Sequence, residues 1–249
     1  MIAFVTGATA GFGAAIARRL IRDGARVVAT GRREERLQAL RGELGERLLA
    51  VPLDVRDRDA VERAFRELPP EFAEVDVLVN NAGLALGLQK AQDAAIADWD
   101  VVVDTNVKGL LYCTRAALTG MVARDRGHIV NLGSIAAEFP YPGGNVYGAT
   151  KAFVYQFSLN LRADLLGTKV RVTDIEPGLC GGTEFSTVRF GGDRAKADAV
   201  YAGTEPLTAE DIADTVSWVV SRPTHVNINA ISMMPVCQAF GPLAVKRSE

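Results

Sequence analysis

The sequence predicts a doubly wound α/β fold: a mostly parallel, seven-stranded sheet with helices on both faces. Three observations predict it. Short apolar runs alternate with segments of helical periodicity along the chain. The first apolar run leads through a glycine-rich turn into a helix, which is the order that opens a Rossmann-like βαβ unit. The length of 249 residues suits one domain with a full core, so we expect a single domain over residues 1–249.

The composition is that of a soluble globular protein. Hydrophobic residues make up 48% of the chain, charged residues 23%, and the net charge is −2. We therefore expect no nucleic-acid partner and no membrane association. We also expect no signal peptide and no membrane-spanning segment, because no apolar run has the required length and flanks. Three cysteines without a pairing or zinc-binding pattern, Cys113, Cys180 and Cys237, favour a cytoplasmic protein without a structural metal.

The first strand is predicted at Ile2–Thr6, and an amphipathic helix from about Gly13 to Arg22. The turn between them, Thr6-Gly7-Ala-Thr-Ala-Gly11-Phe-Gly13, has the spacing G-x-x-x-G-x-G and departs from the G-x-G-x-x-G fingerprint. The physics is shared, because glycines let backbone N–H groups approach a pyrophosphate that the helix N-terminus attracts. Taken alone, such a turn is equally compatible with a simple connection between strand and helix.

The second predicted strand, Arg26–Thr30, ends at Gly31-Arg32-Arg33. An NAD-binding enzyme would place Asp or Glu here to accept hydrogen bonds from the ribose 2′-hydroxyl, whereas arginine accommodates a 2′-phosphate. Positions 29–33 hold no acid. We therefore predict NADP as the cofactor, with Arg32 and Arg33 binding its phosphate. The alternative is that both arginines are solvated charges that head the next helix, which contains Glu34 and Glu35.

Two further predicted strands end in polar residues. Leu48–Leu53 is followed by Asp54-Val55, where a carboxylate at the carboxyl edge of a parallel sheet would lie near an adenine amino group. Alternatively, Asp54 caps the helix that begins near Asp57. Val75–Val79 runs into Asn80-Asn81-Ala82-Gly83, which is either a simple turn or a place where backbone lies against the cofactor.

A long helix is predicted from about Asp98 to Arg124, and it carries Asn106 inside an apolar stretch. A buried amide must find a hydrogen-bond partner. Asn106 is therefore either a satisfied core residue or a residue that holds a water molecule near Lys151. The fifth strand follows at His128–Leu132, with Gly133-Ser134 at its carboxyl end.

The chemistry is predicted in the stretch Asn145-Val-Tyr147-Gly-Ala-Thr-Lys151, which reads as the start of a helix. Residues i and i+4 share a helical face, so Tyr147 and Lys151 can point into one cleft. A free tyrosine has a pKa near ~10, and a neighbouring ammonium favours the phenolate. We therefore expect Lys151 to bring the Tyr147 phenol toward the range where it exchanges protons with a substrate oxygen. By itself, the pair is also compatible with an ordinary amphipathic helix.

The sixth strand is predicted at Val170–Ile175, and Pro177-Gly178 then opens a segment that continues to about Pro206 without obvious periodicity. Its length within a compact domain indicates a binding loop, so we predict a substrate lid over residues 178–206. The last predicted elements are a helix behind a Thr208 N-cap, extending to about Ser221, and a seventh strand at Ile228–Met234.

Together, these motifs resemble those of the classical short-chain dehydrogenases/reductases. They occur in that family's order, span most of the chain and are jointly specific: Thr6-Gly-x-x-x-Gly-x-Gly13, Asn80-Asn-Ala-Gly83, Asn106, Ser134, Tyr147-x-x-x-Lys151 and Pro177-Gly178. Within the family, the chain is similar to the NADP-dependent 3-hydroxy acid dehydrogenases, a group that includes serine and L-allo-threonine dehydrogenases and malonic semialdehyde reductases. That similarity covers nearly the full length and is carried by the glycine turn, Ala-Thr-Gly-Arg-Arg, Gly-Gly-Asn-Val-Tyr-Gly-Ala-Thr-Lys-Ala-Phe and Glu-Pro-Gly-Leu-Cys-Gly-Gly-Thr-Glu-Phe-Ser-Thr-Val-Arg-Phe.

The resemblance implies a role for each matching residue. Ser134 would orient the substrate oxygen, and Tyr147 would pass the proton. Lys151 would bind the nicotinamide ribose and support the Tyr147 phenolate, while Asn106 would hold a water molecule in a proton relay. With the two arginines, Tyr147 and Lys151, the expected cofactor contacts are Gly7, Thr9, Ala10, Gly11, Phe12, Gly13, Asp54, Val55, Asn81, Ala82, Gly83, Pro177, Gly178 and Thr183.

The resemblance also implies the reaction: oxidation of a hydroxyl β to a carboxylate, or reduction of the corresponding 3-oxo acid, in a homotetramer. Such a substrate needs a cation for its carboxylate, and Arg189 in the predicted lid is our candidate. The alternative for Arg189 is a salt bridge to Glu184. Two other functions remain open at this point, namely a reductase of uncharged ketones or aldehydes and a non-catalytic NADP-binding sensor.

Overall fold

The structure is a computed structural model that describes residues 1–241, and a parallel sheet forms its centre. The strands are β1 (Ile2–Val5), β2 (Arg26–Gly31), β3 (Leu48–Pro52), β4 (Val77–Asn80), β5 (Gly127–Leu132), β6 (Val170–Pro177) and β7 (Ala230–Met233). They lie in the order β3-β2-β1-β4-β5-β6-β7, and each pair of neighbours is parallel. The doubly wound prediction is confirmed.

Helices connect the strands and cover both faces of the sheet. Over residues 1–241 they are α1 (Gly11–Arg22), α2 (Glu34–Leu44), α3 (Arg58–Arg66), α4 (Pro70–Ala73), α5 (Ile96–Val103), α6 (Leu110–Ala123), α7 (Asn145–Asp164), α8 (Phe185–Arg189), α9 (Arg194–Ala199) and α10 (Ala209–Val220). None of these helices is long and apolar enough to cross a membrane.

Two hydrophobic cores hold the layers together, because strands covered on both faces need apolar side chains on both. Ile16 and Leu20 of α1 pack with Ile212 of α10 on one face. Met121 of α6 and Leu161 of α7 pack against the other. Each of these side chains contributes roughly 1.5–3 kcal/mol when it is fully buried, so the cores keep the strand ends in fixed relative positions.

The long helix predicted from Asp98 to Arg124 is divided into two helices. A π-helical segment, Asp104–Gly109, lies between α5 and α6 and contains Asn106. Single π-turns inside α-helices are frequent at functional sites. The sequence pattern predicted the helical extent but not this interruption, because an apolar periodicity does not distinguish one widened turn from regular helix.

The segment from Pro177 to Pro206 is more regular than its sequence indicated. It contains α8 and α9, which have 5 and 6 residues. Helices this short complete fewer than two turns, so they leave no readable periodicity. After them, Thr208 caps α10 through a reciprocal capping box with Asp211, as the predicted N-cap requires.

The parallel topology brings every strand's carboxyl end to the same edge of the sheet. The order in which strands are added to the sheet reverses between β1 and β4, which are hydrogen-bonded neighbours. Strands β2 and β3 lie on one side of β1, and β4 to β7 lie on the other. In open α/β sheets, ligands bind in the crevice outside the carboxyl ends at such a switch point. The residues that follow the strands are therefore presented to one cleft.

Candidate active site

A cleft of about 760 Å³ lies along the carboxyl edge of the sheet. It brings together eighteen predicted residues: Gly7, Thr9, Ala10, Gly11, Phe12, Arg32, Arg33, Asp54, Val55, Asn81, Ala82, Gly83, Ser134, Tyr147, Lys151, Pro177, Gly178 and Thr183, and Arg189 also lines it. Gly13 and Asn106 lie behind the wall rather than in it. We call the part near Arg32, Arg33, Arg36 and Glu184 the arginine end, and the part near Ser134, Tyr147, Lys151 and Arg189 the tyrosine end.

The glycine turn forms the floor between these ends. Gly7 and Gly11 have φ values of 67° and 51°, which residues other than glycine rarely adopt. A side chain at Gly13 would collide with the Gly7 carbonyl oxygen and with Asn81, so this glycine permits close packing of α1 on the turn. Ala10 offers no side-chain cap to α1, whose first turn contains no acid. The turn and the free helix N-terminus therefore fit a pyrophosphate.

At the arginine end, Arg33 is already engaged by protein groups. Its Nη1 lies 2.7 Å from a Glu184 carboxylate oxygen, and its Nε and Nη2 donate to Thr9 Oγ1 at 3.2 and 2.9 Å. Arg36 Nη1 binds the other Glu184 oxygen at 2.8 Å. These two arginines hold the pKa of the Glu184 carboxyl below its ordinary value. Glu184 of the predicted lid is thus tied to the first turn of α2.

Arg32 differs from its neighbour. Over residues 1–241 its side chain makes no hydrogen bond or ion pair, and it lines the cleft. The alternative stated that both arginines are solvated charges at the start of α2. Arg33 does not fit it, because its side chain binds Thr9 and Glu184. Arg32 is therefore the guanidinium with its donors free for a phosphate.

Asp54 does not cap the next helix, so that alternative is wrong. Asp57 caps α3 itself, accepting from the Ala60 N–H at 2.9 Å. The Asp54 carboxylate instead binds Arg56, with Nη2 at 2.6 Å. This ion pair, more than any other influence, holds the pKa of Asp54 below its ordinary value. An ionised Asp54 at the cleft edge suits the predicted contact with an amino group.

Two asparagines fix the backbone around the cleft. Asn81 Nδ2 donates to the Thr6 carbonyl oxygen at 2.8 Å, which ties the end of β4 to the glycine turn. Asn106 exchanges two hydrogen bonds with the backbone of Leu84, both at 2.9 Å, and donates to Thr150 Oγ1 at 3.1 Å. The Asn106 side chain is therefore a satisfied core amide that braces α7 against the π-helical segment.

The predicted catalytic residues converge at the tyrosine end. Ser134 Oγ accepts from the Ala136 N–H at 3.1 Å, and the Ser134 hydroxyl favours the ionised form of the Tyr147 phenol, which lowers its pKa. Lys151 lies on the same face of α7 as Tyr147, with its Nζ 5.8 Å from the centre of the Tyr147 ring. That Nζ donates to the Leu132 carbonyl oxygen at 2.6 Å. Elements β5 and α7 thus place a hydroxyl, a phenol and an ammonium around one point.

The expectation that Lys151 lowers the pKa of Tyr147 is wrong for this structure. Desolvation by the surrounding protein raises the pKa of the Tyr147 phenol above its ordinary value. The groups that oppose this rise are Ser134, by hydrogen bonding, and Arg189, by its charge. The physical reason is that a phenolate here loses more stabilisation from water than it gains from the nearby positive charges. The Tyr147 phenol is consequently protonated at neutral pH.

Arg189 reaches the tyrosine end from α8. Its guanidinium lies 5.6 Å from the Tyr147 ring centre, and its Nη2 donates to the Tyr141 hydroxyl at 2.5 Å. Its Nε donates to the Gly87 carbonyl oxygen at 3.3 Å. The alternative salt bridge to Glu184 is wrong, because Glu184 pairs with the arginines at the other end of the cleft. Arg189 keeps N–H donors beyond these two bonds.

Several contributors to the cleft were not predicted. Glu184 entered the sequence argument only as the alternative partner for Arg189. Ser186 and Tyr201, which share a 2.6 Å hydrogen bond in the lid segment, were not singled out. No local pattern marks these residues, because their partners lie 15 to 151 positions away along the chain.

Comparison with known proteins places the chain in a family. The family model described as short chain dehydrogenase matches residues 1–190. The NADP-dependent 3-hydroxy acid dehydrogenase of Salmonella typhi is 63% identical over 248 residues, which cover 100% of both chains. Serine 3-dehydrogenase of Agrobacterium fabrum is 52% identical over 243 residues, which cover 98% of this chain and 97% of that protein.

Solved structures are similar as well. The closed form of a serine dehydrogenase complexed with NADP+ superposes with a TM-score of 0.96 at 60% identity, covering 100% of both chains. Serine dehydrogenase from Escherichia coli gives a TM-score of 0.86 at 55% identity, covering 96% of this chain and 100% of that one.

Proposed function

Because the chain belongs to the short-chain dehydrogenase family, we propose that it is an NADP-dependent oxidoreductase that interconverts 3-hydroxy acids and 3-oxo acids. Serine, L-allo-threonine and 3-hydroxypropionate represent the substrate class. The similar proteins named as 3-hydroxy acid and serine dehydrogenases support this proposal. So does the chain's own chemistry, which provides a guanidinium for a carboxylate next to a phenol for proton transfer.

One observation carries the proposal: the Arg189 guanidinium lies over the Tyr147 ring, 5.6 Å from its centre, and both side chains line the same cleft. In a 3-hydroxy acid, one carbon separates the carbinol carbon from the carboxylate carbon. A substrate of that length can present its oxygen to Tyr147 while its carboxylate accepts hydrogen bonds from Arg189. An uncharged ketone would leave the guanidinium without this partner.

The chain's residues supply proton transfer and charge stabilisation. The bound nicotinamide supplies or accepts the hydride at the carbon that bears the oxygen. In reduction, Tyr147 gives its proton to the developing alkoxide, and the Ser134 hydroxyl donates a fixed hydrogen bond to the same oxygen. Its raised pKa keeps Tyr147 protonated for this step. Lys151 holds positive charge beside the phenol, where it would also bind the nicotinamide ribose, and Asn106 fixes the Leu84 backbone and Thr150 of the same helix.

The residues that would hold the cofactor fit it on structural grounds. The glycine turn and the α1 N-terminus would bind the pyrophosphate, and Arg32, assisted by Arg33, would bind the 2′-phosphate. Asp54 and Val55 would border the adenine. Backbone at Asn81, Ala82 and Gly83 and at Pro177, Gly178 and Thr183 would complete the contacts, with Gly13 supporting the turn from behind.

A steady-state substrate panel with NADP and NAD tests the proposal. We expect higher kcat/KM for 3-hydroxypropionate and serine than for the matching alcohols without the carboxylate, and higher activity with NADP than with NAD. Equal rates on acids and alcohols would count against an acid-binding Arg189 and favour a reductase of uncharged carbonyls. Absence of sustained NADPH oxidation with malonic semialdehyde would favour a sensor.

The proposal extends to the lid, the assembly and the compartment. Residues 178–206 would cover the substrate, since α8 carries Arg189 into the cleft.

A homotetramer would bury the apolar groove between α3, α6 and α7, which includes Tyr112, Leu118 and Phe157. Three free cysteines suit the reducing cytoplasm. Light scattering in solution tests the assembly, and a monomer would contradict it.

A further inference from the structure

The carboxyl of Asp174 is a buried group at the tyrosine end that the proposed reaction does not use. Asp174 lies in β6 and is 1% exposed. Within residues 1–241, neither of its carboxyl oxygens accepts a hydrogen bond of normal geometry. The nearby Gly133 N–H donates to the Ile175 carbonyl oxygen at 2.7 Å instead. A buried polar group without a partner is costly, so its presence requires an explanation.

Asp174 and Lys151 approach the same peptide unit from two different elements. Lys151 Nζ donates to the Leu132 carbonyl oxygen at 2.6 Å. The Asp174 carboxyl packs against the next residue, since a Cβ added to Gly133 would lie 2.6 and 2.7 Å from its two oxygens. Only glycine at position 133 leaves room for this carboxyl. The ammonium and the carboxyl therefore lie close to the Leu132–Gly133 peptide in one buried region.

The side-chain alternation of β6 supports this placement. Val170 and Val172 belong to the core on the α7 side of the sheet. Side chains along a strand alternate between the two faces, so Asp174 lies on the same side, beneath the helix that carries Lys151. Lys151 itself is only 8% exposed.

Few charged groups surround the pair within residues 1–241. Glu176 lies two positions further along the same face of β6, and Glu138 faces Glu176 from the segment after Ser134. Burial lowers the pKa of the Lys151 ammonium to about 8, and Asp174 opposes this lowering. Burial raises the pKa of Asp174, Glu176 raises it further, and Lys151 opposes both. Each member of the pair thus favours the charged form of the other.

We propose that Asp174 is a positioning residue that keeps Lys151 charged beside the catalytic tyrosine. The pKa of the Asp174 carboxyl, raised to about 8, lies in the same range as that of Lys151, so the carboxylate forms in the pH range in which the ammonium begins to lose its proton. That carboxylate supplies the counter-charge that the backbone carbonyl of Leu132 lacks. The inference rests on the proposed function only for the role of Lys151 in turnover, because the charge coupling is a property of the folded chain.

Direct titration of Lys151 tests the coupling. The side-chain carbon shift of Lys151 is followed by NMR against pH in ¹³C-lysine-labelled protein, with the signal assigned through Lys151→Arg. We expect Lys151 to titrate about one pH unit lower in Asp174→Asn than in the natural chain, because a neutral amide no longer favours the ammonium. Glu176→Gln is the matched control, an isosteric change on the same strand face, and should leave the titration nearly unchanged.

Turnover provides the second readout. Reduction of a 3-oxo acid requires charged Lys151, so kcat falls at alkaline pH as the ammonium loses its proton. In Asp174→Asn this alkaline limb should move to lower pH by the same amount, whereas a purely structural role would lower kcat equally at every pH. Asp174→Ser, which is smaller and also neutral, should shift the limb in the same direction and replaces the amide variant if that variant does not fold.

The outcomes separate the two proposals. An unchanged Lys151 titration in both neutral variants, or an equal shift in Glu176→Gln, overturns the role of Asp174. A shifted titration in a chain that shows no turnover on 3-oxo acids supports the coupling and contradicts the proposed reaction.

Discussion

The two ends of the cleft use charge in opposite environments. At the arginine end, Arg33, Arg36 and Glu184 have side chains that are 44%, 48% and 42% exposed, so water and salt screen their ion pairs. At the tyrosine end, Lys151 is buried, and desolvation dominates the pKa values of both Lys151 and Tyr147. The comparison teaches that removing a charge has a small effect at the exposed end, where water screens it, and a large effect at the buried end, where desolvation dominates.

Removing the phenol hydroxyl should have the largest effect. Tyr147→Phe should lower kcat by about 10²- to 10⁴-fold, which is the range of general acid catalysis, because no other group donates to the substrate oxygen as an acid. NADP binding, measured by calorimetry, should change little, since the cofactor contacts are distributed along the cleft. Turnover at the normal rate would remove Tyr147 from the reaction.

Removing the guanidinium at the same end should have the next largest effect. Arg189→Ala should raise KM for 3-hydroxy acids by about 10- to 100-fold, because hydrogen bonds to a charged group contribute roughly 1.5–3 kcal/mol. Arg189→Lys keeps the positive charge but lacks the planar fork of donors, so its KM should lie between those of the natural chain and Arg189→Ala. A parallel rise in KM for the matching alcohols would show that Arg189 is only structural, through Tyr141 and Gly87.

Neutralising the arginine end should change cofactor preference more than rate. Replacing Arg32 and Arg33 by alanine should weaken NADP binding by about 10- to 30-fold and leave NAD binding nearly unchanged, as expected for partly screened phosphate contacts. Of the single variants, Arg32→Ala should cause the larger loss, because Arg33 already binds Glu184 and Thr9. Equal losses for NADP and NAD, measured by calorimetry, would place phosphate recognition elsewhere.

The smallest effect is expected from Glu184→Gln. This variant frees Arg33 and Arg36 from a carboxylate, so NADP should bind up to about fivefold more tightly relative to NAD, consistent with ~1 kcal/mol or less for exposed pairs. Glu43→Gln breaks a comparably exposed pair, with Arg18 at 2.7 Å, away from the cleft and serves as the matched control. A change at Glu184 as large as that at Arg189 would contradict the distinction between the two ends.

Much of the cleft was predictable because its chemistry lies in short stretches. The glycine turn is local backbone geometry, and the four-residue spacing of Tyr147 and Lys151 places both on one face of α7 wherever that helix packs. The parallel topology then follows from the alternation of strands and helices, and it gathers the strand ends at one edge. The Thr208 capping box is also readable from four consecutive residues.

The pairings and the pKa directions were decided by tertiary structure. Arg33 and Glu184 are 151 positions apart, in a chain with 28 basic and 30 acidic residues, so composition leaves the choice of partner open. No sequence pattern distinguishes Asp174 from other strand residues, because its burial arises only when β6 packs beside Gly133 and beneath α7. The pKa of Tyr147 is raised, whereas the sequence predicted that it would be lowered. The reason is that helical spacing specifies which charges are near a residue but not how much water is excluded from it. Local pattern thus decided the fold, the cofactor class and the candidate reacting groups, whereas ion-pair partners and proton affinities depend on long-range packing and desolvation.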